Sequence, residues 1–363
     1  MNKNNYALIM AGGVGSRFWP VSRTGFPKQF IDFFGVGKTL IQSTYERFLR
    51  ICPAENIFIV TNEIYTGIIK EQIPGIRDNQ ILAEPIMRNT APCISYGSMK
   101  IAQLNPDATI VVAPSDHTIT NQDAFVEAIE RSLEAAAQND VLITLGIKPS
   151  RPDTGYGYIQ YVDSALKSDE NLYKVKTFTE KPNLELARSF LQSGDFLWNA
   201  GIFIWSAKSI NQAFQKHLPD MYEIFYQGNP LFNTDQETAF IGNAYQHCTN
   251  ISIDFGIMEK ADNVYVLPAD FGWSDLGTWA SIYDLAEHDY VGNAVIPAEK
   301  VMMFNSSNCM VNVPHDKLVI LQDMHDYIVV ESNNILLICP RSEEQSIKKI
   351  VADVKSKFGT KYI

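Results

Sequence analysis

C-x-x-C pairs, membrane-length apolar runs and low-complexity tracts are all missing from this sequence. The five cysteines, at positions 52, 93, 248, 309 and 339, are odd in number, scattered, and never spaced as C-x-x-C. That pattern argues against both a disulfide framework and a zinc site, and it suits a reducing compartment. The six histidines form no H-E-x-x-H or other ligand spacing. Positive charge is in deficit: 30 Lys and Arg stand against 41 Asp and Glu, a formal net charge of −11. A nucleic-acid binder would need a basic face, so that class is set aside. An anionic ligand must then be held by local cations. The first apolar run is too short for a signal peptide, and none is long enough to span a bilayer, so a soluble, cytoplasmic protein without a membrane partner is expected. With 363 residues the chain can hold one large domain and a smaller one.

What is present is concentrated at the start. The run Tyr6-Ala-Leu-Ile-Met-Ala11 breaks into Gly12-Gly13-Val14-Gly15-Ser16-Arg17, followed by Pro20 and by Pro27-Lys28-Gln29. A buried strand ending in glycines presents bare backbone N–H groups and lets the chain approach a phosphate closely. Arg17 and Lys28 add a planar fork and a point charge. A dinucleotide fold would need G-x-G-x-x-G running into a helix, and a Walker loop G-x-x-x-x-G-K-[S/T]; neither string occurs. The segment reads as a loop that holds a polyphosphate.

Up to about residue 145, strands and helices alternate. Strands are expected at Ile57–Val60, Gln80–Ala83, Thr109–Ala113 and Val141–Leu145, and helices at Leu40–Ile51 and Thr90–Leu104. Phe125, Ala128, Ile129, Leu133 and Ala136 mark the apolar face of a further helix. Alternation of this kind predicts a parallel sheet flanked by helices, with ligands at the carboxyl ends of the strands. Gly12–Arg17, Glu84 and Ser115–Asp116 each follow a strand, so they share one rim. Further on, Lys174–Thr179 and Ala200–Trp205 read as strands, and Asn183 to Gly194 as a capped helix. Beyond Asp289 short strands recur at even intervals, Val301–Phe304, Cys309–Val313, Leu318–Gln322, Tyr327–Glu331 and Ile335–Ile338, before a closing amphipathic helix, Glu343–Phe358. That regularity predicts a small β domain, an abbreviated solenoid.

The string A-G-G-x-G-S-R-F-W-P-x6-P-K-Q resembles the signature of nucleotidyltransferases that activate sugar 1-phosphates. Phe18-Trp-Pro-Val-Ser-Arg23 looks most like their guanylyltransferase branch, in which Leu is commoner than Phe before Trp. The resemblance runs from about residue 6 to residue 350. It implies a Rossmann-like, GT-A-like mixed α/β sheet flanked by helices over residues 1–287. Residues 288–363 would form a short left-handed β-helix-like domain ending in a helix, an element that often mediates homodimerisation. It further implies transfer of GMP from GTP to α-D-mannose 1-phosphate. Long relatives continue into an isomerase domain, and isomerase activity is not expected of these 363 residues.

Asp116 follows a strand in Pro114-Ser-Asp-His117, and hard carboxylate oxygens suit Mg²⁺, which takes one or two of them plus phosphates and waters. A lone Asp there is also a common helix cap. The resemblance assigns the metal to Asp116 together with Asp275, in Trp273-Ser-Asp-Leu-Gly277. His117 is tempting as a base, but a sugar phosphate is largely ionised at neutral pH, so a structural role is expected. Glu84, opening Glu84-Pro-Ile-Met-Arg-Asn-Thr-Ala91, reads either as part of a turn capped by Asn89 or Thr90, or as an acceptor for the two donors on the guanine edge. The resemblance favours the second reading and places Ala11, Gly12, Gly13, Gly15, Arg17, Lys28, Glu84, Asn89 and Thr90 at the nucleotide. Arg23 is a further cation within the signature. Gly155 and Tyr156, Glu180, and Asn199 with Gly201 match the sugar-binding strings, although each also fits a turn, a corner or a cap. Lys181 would neutralise charge at phosphorus and completes, with Arg17, Lys28 and Asp116, the catalytic set. Two other functions remain open: a sister enzyme with a different base or sugar, and a silent subunit that only binds nucleotide sugar. Such a subunit would be expected to have lost Arg17, Lys28, Asp116 or Lys181, and all four are present.

Overall fold

The apolar run at the start forms β1 (Asn5–Ala11), buried along almost its whole length. In the computed structural model, which describes residues 1–363, it belongs to the first of two units, Met1–Gly12, Tyr45–Ser115 and Ile119–Trp273. Next in that unit come β2 (Ile57–Asn62), β3 (Ile81–Glu84) and β4 (Thr109–Pro114), all parallel to one another, with β1 paired to both β2 and β4. Strands buried on both faces read as continuous apolar runs, which is why this half was visible in the sequence.

After β5 (Thr118–Ile119), where the chain re-enters this unit, follow β6 (Leu142–Ile147), β7 (Gly157–Leu166), β8 (Asp169–Glu180), β9 (Phe196–Ser206) and β10 (Val264–Ala269). The nine-stranded sheet runs β3-β2-β1-β4-β9-β6-β10-β8-β7. Strand β9 is antiparallel to β4 and β6, and β7 and β8 form an antiparallel hairpin, so the sheet is mixed. Its helices are α1 (Leu40–Phe48, which enters from the second unit), α2 (Thr66–Gln72), α3 (Thr90–Leu104), α4 (Gln122–Gln138), α5 (Leu184–Ser193), α6 (Ala207–His217), α7 (Pro219–Tyr226) and α8 (Glu237–His247). Helix α5 starts where Asn183 accepts from the Leu186 N–H and stops at left-handed Gly194, as its sequence predicts.

Several strands differ from expectation: β8 starts at Asp169 rather than Lys174, β7 and β10 lie where no strand was expected, and two further differences bear on the site. Strand β3 includes Glu84 as its last residue, since the Asn62–Glu84 pairing extends the ladder. Strand β9 begins at Phe196, so Asn199 lies inside it; its amide oxygen accepts from the Thr144 hydroxyl of β6, and the polar side chain needs no cap.

The second unit comprises Gly13–Thr44, Asp116–Thr118 and Ser274–Ile363, and it contains the position 287/288 where the sequence placed a domain boundary. After β11 (Trp273–Ser274) come α9 (Trp279–Leu285), β12 (Ala294–Ile296), β13 (Val301–Phe304), β14 (Met310–Asn312), β15 (Val319–Gln322), β16 (Tyr327–Ser332) and β17 (Ile335–Pro340). Strands β12, β14 and β16 stack in parallel, as do β13 and β15, while β17 pairs antiparallel with β16. From β13 on, the rung repeats at 18 residues, against 16 between β12 and β14: Asn305 donates to Asp323, and Ser307 lies against His325, one turn apart. Positive φ at Asn305, Asn308, Asp323 and Asp326 makes the corners. A 3-10 turn, Arg341–Ser346, precedes α10 (Ile347–Phe358).

Candidate active site

In the second unit the phosphate loop is left-handed at Gly13 (φ 89°) and Gly15 (φ 70°). A Cβ on Gly15 would stand 2.8 Å from the side chain of Lys28, so glycine is needed where the loop lies along that stem. The Lys28 ammonium is ion-paired with Asp116 Oδ2 at 3.0 Å and donates to the carbonyls of Asp275 and Leu276 at 3.0 and 3.1 Å. Both predicted metal-binding residues thus flank one cation. The other Asp116 oxygen is 4.0 Å from His117 Nε2, and Asp275 Oδ1 accepts from the Gly277 N–H at 3.0 Å. Phe18 and Trp19 anchor the loop from behind: Phe18 packs on Phe33 and Trp279 with centroids 4.7 and 5.4 Å away. Arg23 points elsewhere, donating to the carbonyls of Pro20 and Ser332. A cavity of about 250 Å³ opens among Gly15, Arg17, Lys28, Asp275 and Lys348. Lys348 was not foreseen, because the sequence shows it only as one polar position of an amphipathic helix.

In the first unit the parallel strands end level. Ala11 pairs with Thr61, Asn62 with Glu84, and the Ser115 N–H donates to Met10, so Gly12, Glu84 and Ser115 share an edge. Glu84 is only 5% exposed, with Oε1 lacking a partner. Burial pushes its carboxyl up to about 7, and the neighbouring Tyr245 hydroxyl opposes that shift. An unpaired buried acceptor is rare and marks a place where a donor is wanted. Asn89 (φ 67°) caps α3 through Thr90 N, and the Thr90 hydroxyl accepts from the Ile253 N–H at 2.8 Å.

That last bond leads to a residue that the sequence reading missed. Asp254 opens a π-turn, Asp254–Met258, a form frequent at functional sites. Its Oδ1 accepts from Asn199 Nδ2 at 3.0 Å, and Asn199 Oδ1 takes the Thr144 hydroxyl and the Gly201 N–H. The amide of Asn199 is therefore held in one orientation. Burial, reinforced by the charge of Glu180, raises the Asp254 carboxyl to about 6. No sequence spacing links 199 to 254; only the packing does. Glu180 lies against Gly157, where any side chain would collide with its carboxylate, and pairs with Lys181. Tyr156 stacks edge-on against Trp198 and Trp273 at 5.0 and 5.2 Å, and Gly155 donates to Asp153. Asn199, Glu180, Gly157 and Asp254 are thus gathered, with Tyr156 on the same hairpin.

Residues 6–291 match the nucleotidyl transferase family. The chain belongs to that family. This nucleotidyl transferase is 33% identical to the mannose-1-phosphate guanylyltransferase of Klebsiella pneumoniae over 98% of its length and 75% of the relative's. It is 34% identical to the alginate biosynthesis protein AlgA of Pseudomonas aeruginosa, covering 96% of this chain and 71% of that one. Among solved structures it resembles a mannose-1-phosphate geranyltransferase from Thermus thermophilus, with a TM-score of 0.85 and 29% identity, covering 97% of this chain and 99% of that one. No helix is long and apolar enough to cross a membrane.

Proposed function

We propose that this nucleotidyl transferase moves GMP from GTP to α-D-mannose 1-phosphate, giving GDP-mannose and pyrophosphate. The carrying observation is the Lys28 ammonium, beside a glycine loop, paired with the Asp116 carboxylate and bonded to the main-chain carbonyl of Asp275, in a chain one third identical to a mannose-1-phosphate guanylyltransferase. A phosphate oxygen of the sugar attacks the α-phosphorus in line. The new P–O bond forms as the bond to the β-phosphate breaks, and its electron pair leaves with pyrophosphate. Gly12, Gly13, Gly15, Arg17 and Lys28, with the backbone at Ala11, hold the triphosphate; Lys181 offsets charge at phosphorus. Glu84 accepts from the guanine edge, with Asn89 and Thr90 shaping its loop. Glu180, Asn199, Gly201, Gly155 and Tyr156 receive the sugar, and Asp254 fixes the Asn199 amide.

No group of three or more His, Cys, Asp or Glu side chains gathers to hold a metal unaided. Two carboxylates with hard oxygens suit Mg²⁺, whose remaining ligands come from phosphates and water. Asp116 and Asp275 would hold it, and when bound it would neutralise charge on the reacting phosphates. The reading extends to a cytoplasmic homodimer, supported by five buried free cysteines and by Met302, Phe304 and Ile320 exposed along β13 and β15. Phosphorus NMR of the reaction products tests the activity. GTP, mannose 1-phosphate and Mg²⁺ give GDP-mannose and pyrophosphate, and Asp116→Asn abolishes both signals without lowering the melting temperature. Near-normal turnover in that variant removes Asp116 from the role.

A further inference from the structure

The cavity beside Gly15 collects more positive charge than its loop supplies. Arg17 and Lys28 come from the loop, and Lys348 comes from the first turn of α10. Lys28 is matched by Asp116, but the other two have no carboxylate partner: Arg17 Nε donates to the neutral amide of Gln345 at 3.1 Å, and Lys348 has no ion pair. The Arg17 charge is the main cause holding the Lys348 ammonium below its ordinary pKa, with burial second. Like charges set facing one another cost free energy, and a polyanion between them removes that cost.

The Lys348 side chain is exposed to solvent, but the helix that carries it is anchored. The preceding residue, Ile347, is fully buried in one cluster with Phe18, Trp19 and Trp279. Beyond the helix the Tyr362 carbonyl accepts from Trp19 Nε1 at 2.7 Å. Helix α10 is thus fastened at both ends to the segment that carries Arg17. Asp275 stands in the wall of the same cavity as the three cations.

We propose that Lys348 binds the pyrophosphate portion of the nucleotide, completing with Arg17 and Lys28 a three-cation site for the β- and γ-phosphates. This rests on the guanylyl-transfer reading and adds to it a residue from the C-terminal helix. As the α–β bond breaks, negative charge grows on the departing β-phosphate oxygen, where an ammonium carried on the anchored helix stabilises it.

The test is the reverse reaction with Mg²⁺, in which the KM for inorganic pyrophosphate and the KM for GDP-mannose are measured separately. Lys348→Met raises the pyrophosphate KM about tenfold or more, as loss of a charge-assisted contact should. The GDP-mannose KM stays within about twofold, and Lys348→Arg recovers most of the loss. Lys349→Met removes the same charge one residue along, outside the cavity wall, and leaves the pyrophosphate KM unchanged. The proposal is overturned if Lys348→Met leaves that KM within about twofold, if both KM values rise together, or if Lys349→Met has the same effect. A wild-type protein that cannot use GDP-mannose and pyrophosphate at all instead refutes the guanylyl-transfer reading. Calorimetry of Mg²⁺-pyrophosphate binding to wild type and Lys348→Met then decides the role of Lys348 alone: equal affinities overturn it.

Discussion

Glu84 concentrates the chemistry of a single residue. Folded, it keeps its proton up to about pH 7, whereas the ordinary value is 4.5. Between those values the folded state binds more protons than the unfolded one, so stability falls as pH rises through that window. The loss approaches about 3 kcal/mol, because each tenfold change in proton affinity is worth roughly 1.4 kcal/mol. Glu84→Gln removes this slope, which urea unfolding of both proteins between pH 5 and 7.5 reads directly; parallel curves would mean that Glu84 is ionised throughout. The same variant narrows the preference for GTP over ATP, because an amide no longer presents two acceptors to the guanine edge. An unchanged GTP/ATP ratio of kcat/KM would move base recognition elsewhere. Asp254 shows the limit of reading residues in order. Its importance lies in one bond to Asn199, and a carboxylate within Ser252-Ile-Asp-Phe-Gly256 carries no mark of a partner so far back in the chain.

At the scale of elements, α10 does the most that a single helix can for the site. It buries Ile347 behind the loop aromatics and sets Lys348 in the cavity wall. Ile347→Ala leaves a hole among Trp19, Trp279 and Leu337, and should cost about 2–5 kcal/mol. Urea denaturation measures it, and a loss under about 1 kcal/mol would mean that the helix is not packed as described. The parallel strands were legible because strands buried on both faces leave a continuous apolar run. The start of β9 was not, because Trp198-Asn199 has the composition of a cap, and it takes the Thr144 hydroxyl, the Gly201 N–H and the Asp254 carboxylate to make the Asn acceptable in a ladder. The closing helix was expected from Glu343, yet it begins at Ile347. The Glu344 carboxylate is drawn to the Ala280 N–H at the start of α9, and residues 341–346 wind as a 3-10 turn instead.

For the whole molecule, the signature loop and the later strings were visible one by one, and the 18-residue rung was visible as evenly spaced strands. What the sequence concealed is that the loop's residues pack with the C-terminal β-rich segment: Gly13–Thr44 and Ser274–Ile363 form one compact unit. Long-range packing of that kind leaves no local pattern, because Phe18 and Ile347 look like ordinary apolar positions until the fold brings them together. The central claim is the transfer of GMP to mannose 1-phosphate, and pyrophosphate release with Mg²⁺ over a grid of nucleoside triphosphates and sugar 1-phosphates tests it most directly. Release confined to GTP with mannose 1-phosphate is the predicted result. Release with another base or sugar, or none with any pair, would contradict it.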